Sequence, residues 1–312
     1  MDAASGSGCY RFLSGGGEMA ALINVYDWAA TPLGPLSSWP LPVCTTMGLI
    51  LRSPVPIVTL WGEEGTMIYN DAYSRFAGGR HPQLLGSAVR RGWPEVADFN
   101  DNVMKVVLAG GVLSYRDLEL TLHRQDGQPE QVFMNLDYSP VIGEQGEPIG
   151  VIAIVVETTE RVRADRRVRE SEDRFRTIAD AAPVMMWISD SAHGCTWFNK
   201  PWLDFTGRSL SEEIGEGWID NLHPDDREAV LAKYDASFAA FTPFHIDFRI
   251  RRHDGVWRTV EETGAPQVAP DGSLINFIGC CNDVTEQREA ETALRESAER
   301  LRPATTAASI GT

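Results

Sequence analysis

The side chains of this sequence that could do chemistry are its five cysteines, six histidines and many aromatic residues. No two cysteines form a Cys-x-x-Cys pair, so the thiols predict a reduced setting and ordinary packing roles. A haem iron would need an axial ligand, usually a histidine, and His223 is the least poor candidate. His245 stands alone on a strand pattern, on the face opposite Phe244 and Phe248. The five cysteines are Cys9, Cys44, Cys195, Cys280 and Cys281.

Aromatic side chains are the remaining signal for a binding pocket. Indole and phenyl groups could line a pocket for a flat ligand, or they could fill an ordinary core. Asn70 and Asn199 each follow a short strand pattern, where asparagine either caps the next helix or contacts a ligand. The aromatic candidates are Tyr69 and Tyr73 in the first half, and Trp187, Phe198, Trp202, Phe205, Trp218 and Phe248 in the second.

Length and charge limit the classes of protein to which the chain can belong. Its 312 residues predict two domains, and its net charge of −16 argues against nucleic acid as a partner. The N-terminus lacks the basic and apolar segments of a signal peptide, and the longest apolar runs are too short to cross a bilayer. These features predict a cytoplasmic protein without a membrane segment.

The two halves of the chain repeat the same motifs in the same order. YNDAYSRFAGG, from Tyr69, aligns without a gap with FNKPWLDFTGR, from Phe198. The Asp-Gly hairpin signal at 126–127 recurs at 254–255, and ETTER, from Glu157, corresponds to DVTE, from Asp283. An offset of 126 to 129 residues indicates a duplicated domain. Each copy has two short strand patterns, short helices and three long strand patterns, which predicts an α+β fold with helices on one face of an antiparallel sheet.

A highly charged stretch without Gly or Pro, residues 157–182, predicts a helix that joins the two copies. Val168, Phe175 and Ala182 are spaced seven residues apart and form a narrow apolar seam. The helix could pair with a second copy of itself, or it could be a spacer. Residues 284–301 predict a similar helix after the second copy.

Four motifs of the second half, together with five of the first, resemble a known family. The second half resembles a PAS domain with its C-terminal PAC portion, and the first half is similar to the N-terminal PAS domains of bacterial sensor histidine kinases. The second-half motifs are Asn199 with Phe205-Thr206-Gly207, HPDDR from His223, RHDG from Arg252, and DVTEQR from Asp283. The first-half motifs are GGGEM from Gly15, TPLGP from Thr31, WP from Trp39, YNDAY from Tyr69 and WPE from Trp93.

The resemblance implies a five-stranded antiparallel sheet of order 2-1-5-4-3, with a ligand pocket between the sheet and its helices. In such proteins the helix that leaves each domain carries a signal to a kinase, cyclase or phosphodiesterase. The junction between the last strand and this helix would be formed by Glu157, Thr159 and Glu160 in the first copy, and by Asp283, Thr285 and Glu286 in the second.

No constellation for catalysis or metal binding is predicted. Neither charged helix contains a phosphoacceptor histidine, and the glycines form no phosphate-binding loop. No cysteine has the Asn-Cys-Arg-Phe-Leu setting of a light-oxygen-voltage flavin domain. The chain is therefore predicted to be a non-enzymatic part of a sensor, most simply without a cofactor.

The sequence thus predicts an extension (1–40), two PAS domains (41–157 and 183–284), a helical linker (158–182), a signalling helix (285–302) and the start of a further PAS module (303–312). The predicted function is to sense a small molecule or a partner and to relay the signal, as a homodimer, to a histidine kinase or other output domain of a two-component system. A flavin- or haem-binding redox or gas sensor and a dimerisation scaffold are the alternatives.

Overall fold

A computed structural model of the protein describes residues 10–124 and 127–308, and their side chains as far as residue 298. The predicted turn residues Gln125 and Asp126, Cys9, and residues 309–312 of the predicted further module lie outside the described residues. The chain divides into two compact units, Met1–Arg167 and Val168–Thr312. Within the part that the structure describes, no helix is both long and apolar enough to cross a membrane.

The first unit is one antiparallel sheet with its helices. The strand order is β2-β1-β5-β4-β3, as the resemblance implied. Its strands are β1 (Ile57–Trp61), β2 (Thr66–Tyr69), β3 (Leu113–Leu122), β4 (Glu130–Ile142) and β5 (Pro148–Glu157). Its helices are α1 (Gly17–Val25), α2 (Leu41–Ile50), α3 (Asp71–Ala77), α4 (Val89–Gly92) and α5 (Ala97–Leu108), with 3-10 turns at Arg11–Leu13, Trp28–Ala30, Leu36–Ser38, Gly78–Arg80 and Pro94–Val96.

Helix α1 was not predicted, and it belongs to the core of the first unit. Met19 and Ile23 of α1 are fully buried, as is Met47 of α2. The carboxylate of Asp71, at the start of α3, accepts hydrogen bonds from the backbone N–H groups of Glu18 (3.1 Å) and Met19 (2.7 Å). These contacts satisfy two of the N–H groups that a helix start leaves unpaired, and they join the predicted extension to the sheet.

Helix α6 (Thr159–Ala181) follows β5 and matches the predicted linker. The second unit repeats the architecture, with strand order β7-β6-β10-β9-β8. Its strands are β6 (Met185–Ser189), β7 (Cys195–Phe198), β8 (Phe244–Arg251), β9 (Trp257–Val268) and β10 (Leu274–Asp283). Its further helices are α7 (Lys200–Thr206), α8 (Leu210–Glu213), α9 (Pro224–Ala240) and α10 (Thr285–Ala308), with a 3-10 turn at Gly217–Asn221. Residues 303–308, predicted to open a new module, belong to α10 in the structure.

Asn70 and Asn199 occupy the same place in the two units, between the second strand and the helix that follows. The Asn199 side-chain oxygen accepts hydrogen bonds from the N–H groups of Trp202 (3.2 Å) and Met186 (2.8 Å), and its amide donates to the Ala179 carbonyl (2.8 Å). Asn70 caps α3 in the same way by accepting from the Tyr73 N–H at 2.9 Å. Both asparagines therefore cap a helix and fix the chain that precedes the first strand.

Candidate functional site

The first unit contains a cavity of about 50 Å³ between the sheet and α5. Its lining is mostly aliphatic and aromatic, and none of the described residues that line it carries a charge. Tyr73, Trp93, Asn100 and Tyr138 supply the polar groups in this lining, and Tyr73 and Tyr138 are its two phenols. Burial raises the pKa of both phenols, so each hydroxyl keeps its proton. The cavity therefore favours a small, neutral, largely apolar molecule that carries a hydrogen-bonding group.

Of the three pocket residues predicted in the first half, Tyr73 lines the cavity. The Trp93 indole N–H donates a hydrogen bond to the Tyr73 hydroxyl at 3.1 Å, which fixes the phenol ring. Tyr69 is not among the lining residues, and its hydroxyl lies 3.0 Å from Nδ1 of His81. Asn100 and Tyr138 were missed, because they come from α5 and β4 and no local motif marks them.

The corresponding space in the second unit is filled by side chains. Trp187, Phe198, Trp202 and Trp218, all predicted pocket residues, meet Cys195, Tyr234 and Glu262 there, and no room for a water molecule remains between them. Phe248 is buried elsewhere in the same core, and Phe205 is half-buried at its edge. In the structure these aromatic residues form a packed core.

Glu262 is a buried acid that the sequence analysis missed. It lies on β9, where alternation with Val260 and Gly264 turns its side chain toward the core. Burial raises the pKa of Glu262 to about 7, and the nearby Trp187 indole and Cys281 thiol offset only part of that rise. The Trp187 indole N–H has no partner of normal hydrogen-bond geometry among the described residues. This core therefore contains polar groups that are incompletely paired.

His223, the candidate haem ligand, does not line this core space. Its Nδ1 accepts a hydrogen bond from the Asp225 N–H at 3.3 Å and caps α9, and its ring packs edge-on against Trp257. Burial raises the pKa of the Cys195 thiol to about 12 and that of Cys281 well above its usual value. Both thiols are therefore protonated and poor nucleophiles.

The junction between β5 and α6 is held by three kinds of contact. The Thr158 N–H donates to the Phe133 carbonyl on β4 (2.8 Å), and the Phe133 N–H donates to the Thr159 hydroxyl (3.0 Å). That hydroxyl in turn donates to the Glu157 carboxylate (2.8 Å), which Arg124 contacts at 2.6 Å. The start of the exit helix is thus attached to β4 by two hydrogen bonds, one from a backbone N–H and one to a hydroxyl group. The ion pair between Glu157 and Arg124 adds a third attachment.

The junction between β10 and α10 repeats this arrangement. The Val284 N–H donates to the Thr259 carbonyl on β9 (3.0 Å), and the Thr259 N–H donates to the Thr285 hydroxyl (2.8 Å). The Thr285 hydroxyl donates to Asp283 (2.6 Å), which Arg258 contacts at 2.7 Å. Burial favours a higher pKa for Asp283, but the hydrogen bonds from Thr285 and Arg258 outweigh it and hold the pKa below its usual value.

The two glutamates predicted beside these junctions differ in their contacts. Glu286 accepts a hydrogen bond from Arg258 at 3.2 Å, although its side chain remains largely exposed. Glu160 is exposed at the start of α6. The structure therefore brings together Glu157 with Thr159, and Asp283 with Thr285 and Glu286.

A five-stranded sheet of this order, with a core space under its helices and a fixed exit helix, defines a class of sensor domain. Two family models, both described as the PAS fold, match residues 52–163 and 196–281. The chain is a tandem of two PAS domains and belongs to that family.

Relatives of this chain include signalling proteins. Uncharacterized protein y4lL of Sinorhizobium fredii is 34% identical over 148 residues, which are 47% of this chain and 18% of that protein. The peroxide stress-activated histidine kinase mak1 of Schizosaccharomyces pombe is 30% identical over 123 residues, 39% of this chain and 7% of the kinase. The chain thus spans less than a fifth of the length of either relative. A structure of a sensory box histidine kinase/response regulator from Burkholderia thailandensis is 26% identical, with a TM-score of 0.34, and the match covers 42% of this chain and 98% of that one.

Proposed function

We propose that the chain is the sensing and relay part of a larger signalling protein, in which occupancy of the first-domain cavity alters how β5 meets α6. The observation that supports this proposal is the adjacency of cavity and junction along two strands. Met134 of β4 lines the cavity, and its neighbour Phe133 binds Thr159. Val155 of β5 also lines the cavity, two residues before Glu157.

A ligand in the cavity would act by favouring one of two arrangements of the junction, because a ligand shifts an equilibrium only through its different affinity for the two states. A volume of about 50 Å³ is a third of the roughly 150 Å³ in which an engineered protein cavity holds benzene. The ligand is therefore a molecule of few heavy atoms, unless binding widens the cavity.

The second domain is the relay in this proposal. Its core is filled, so it has no room for a ligand, yet it repeats the junction contacts. It would therefore receive a change through α6 and pass that change on to α10. The proposed output is a histidine kinase domain or another output domain outside the described chain, and the likeness to mak1, a histidine kinase, supports the first of these. The proposed setting is the cytoplasm, and the proposed working form is a homodimer.

Filling the cavity tests the proposal. Ala153→Val adds two carbon atoms to a fully buried β5 residue that lines the cavity. We expect amide hydrogen exchange at residues 159–162 to change at least threefold, because the junction adjoins the filled space. Ile154→Val alters the next residue of β5, which points to the opposite, partly exposed face, and should leave that exchange unchanged. Identical exchange in both variants and the wild type would refute the coupling.

A visible absorbance spectrum of the purified chain distinguishes this function from the flavin or haem alternative. Among the described residues lining the cavity none is His or Cys, the side chains that would ligate a haem or form a thiol adduct with flavin. Flavin or haem bands that purify with the chain would favour the alternative.

A further inference from the structure

Three side chains with metal-ligating atoms lie together on the solvent face of the second sheet. His245 and Asp247 are two residues apart on β8, so they share a face, and the antiparallel register places Asp247 opposite Glu261 of β9. Nε2 of His245 lies 3.4 Å from Oε1 of Glu261 and 3.9 Å from Oδ1 of Asp247. All three ligand atoms lie within 4.8 Å of one another.

The geometry points to a binding site for a divalent transition-metal ion formed by His245, Asp247 and Glu261, with water completing the coordination. Ligand atoms bound at ~2.1 Å around a tetrahedral ion are roughly 3.4 Å apart, which the His245–Glu261 pair already matches. The His245–Asp247 pair, at 3.9 Å, lies about 0.5 Å beyond that spacing. An imidazole with two carboxylates suits zinc or nickel better than magnesium or calcium, which prefer oxygen ligands alone.

A positive group already contacts this cluster. Arg288, in the first turn of α10, places Nη2 2.5 Å from Oδ2 of Asp247. The carboxylates of Asp247 and Glu261 therefore attract positive charge to this face, and in the described structure the guanidinium of Arg288 provides that charge.

A metal ion and Arg288 would contact the same carboxylate at different oxygens, because Oδ1 of Asp247 faces His245 and Oδ2 contacts Arg288. The two positive charges therefore compete electrostatically for Asp247. When the ion binds Asp247, the ion pair between α10 and β8 weakens, and the first turn of the exit helix loses one of its attachments to the sheet. The metal site does not depend on the proposed relay. Only the consequence for signalling depends on it.

Among the described residues of the first domain there is no corresponding cluster of metal-ligating side chains, but the ion pair recurs there. Arg161 of α6 places Nη2 2.5 Å from Oδ1 of Asp117 on β3, as Arg288 does with Asp247. Strand β3 contains no histidine. Arg161 is therefore a matched control for Arg288.

Calorimetric titration of the untagged 312-residue chain with Ni²⁺ tests the site. Zn²⁺ is only the second probe, because it also binds free thiols such as Cys280. We expect one saturable site for Ni²⁺ that His245→Asn and Glu261→Gln each weaken at least tenfold. His193→Asn is the control, because His193 is similarly exposed but has one carboxylate nearby, Asp235 at 3.7 Å. No saturable binding, or equal affinity in His245→Asn and the wild type, would overturn the site.

The competition is tested separately with Arg288→Ala. Removing the guanidinium should raise the Ni²⁺ affinity severalfold, whereas Arg161→Ala should not change it. Saturating Ni²⁺ should also speed amide exchange in residues 285–289 and leave residues 159–163 unaffected. An unchanged affinity in Arg288→Ala would overturn the competition, and the calorimetric result would still decide the site itself.

Discussion

Glu262 is a carboxyl group in an aromatic core, and no Lys, Arg or His of the described part of the chain forms an ion pair with it. An ionised carboxylate there would lack the compensation that a counter-ion gives. The space around it leaves no room for a water molecule that could replace such a partner. The neutral, protonated acid is therefore the form that suits the folded domain.

This predicts that the second domain loses stability as the pH rises. Burial raises the pKa of Glu262 from 4.5 to about 7, so the folded domain holds the proton more tightly than the unfolded chain does. The stabilisation is complete below about pH 4.5, is lost as the pH rises toward 7, and amounts to about 3 kcal/mol. Urea unfolding at pH 5 and pH 8 measures the loss. Glu262→Gln cannot ionise and should reduce the difference, so an equal pH dependence in both proteins would contradict the assignment.

Residue roles were readable from the sequence only where a local pattern determines them. The helix-capping alternative for Asn70 and Asn199 followed from their place after a strand. Alternation along β9 also places Glu262 inward, and that signal was overlooked. Asn100 lines the cavity because tertiary packing brings α5 over the sheet, which no spacing along the chain reveals.

Among the structural elements, the β5–α6 and β10–α10 junctions each depend on one threonine hydroxyl. Thr159→Val and Thr285→Val remove the hydroxyl that accepts the N–H of Phe133 or Thr259. Thr159→Val should destabilise its domain by about 1 to 3 kcal/mol, because the buried Phe133 N–H loses its partner, and Thr285→Val should cost less because the Thr259 N–H is only part-buried. We expect faster amide exchange at the start of the following helix, and altered output in the full sensor, with the domain still folded.

The same substitution farther along each helix is the control. The hydroxyls of Thr177 and Thr292 each donate to the carbonyl four residues earlier in their own helix. Thr177→Val and Thr292→Val should therefore leave the junctions intact. If the junction variants keep native melting curves and unchanged output, the junctions have no relay role.

Strands and exit helices were predicted more closely than the remaining helices. Strand patterns and hairpin turns predicted three long strands in each copy, and the structure has them as β3 to β5 and β8 to β10, because one face of each strand meets the core. The strand order came from the family resemblance. Helix α1 escaped prediction because its partners, Asp71 and the core, are distant in sequence.

At the scale of the whole molecule, the outstanding question is whether α6 pairs with a second copy. Ile178 follows Phe175 by three residues and so belongs to the same apolar seam. Val168 and Ile178 are 57% and 64% exposed, so both are available to a partner. Phe175, the centre of the predicted seam, instead packs on Trp197 with ring centroids 5.5 Å apart. Part of the apolar seam therefore has a role within the second domain.

Replacing Val168 and Ile178 together with Asp tests the dimer. Charges on both positions should halve the mass measured by light scattering, because like charges would face each other across the seam. Val112→Asp adds a charge at a position that is 70% exposed and should leave the mass unchanged. A wild-type mass equal to that of a monomer, or no fall in the double variant, would leave α6 as a spacer.

The paired arginine–aspartate contacts, Arg161 with Asp117 and Arg288 with Asp247, make both exit helices sensitive to ionic strength. Their side chains are between 36% and 55% exposed, so rising salt concentration weakens these surface ion pairs. The threonine hydrogen bonds at the same junctions are more buried and respond less. As the salt concentration rises, each exit helix should therefore loosen first on its arginine side.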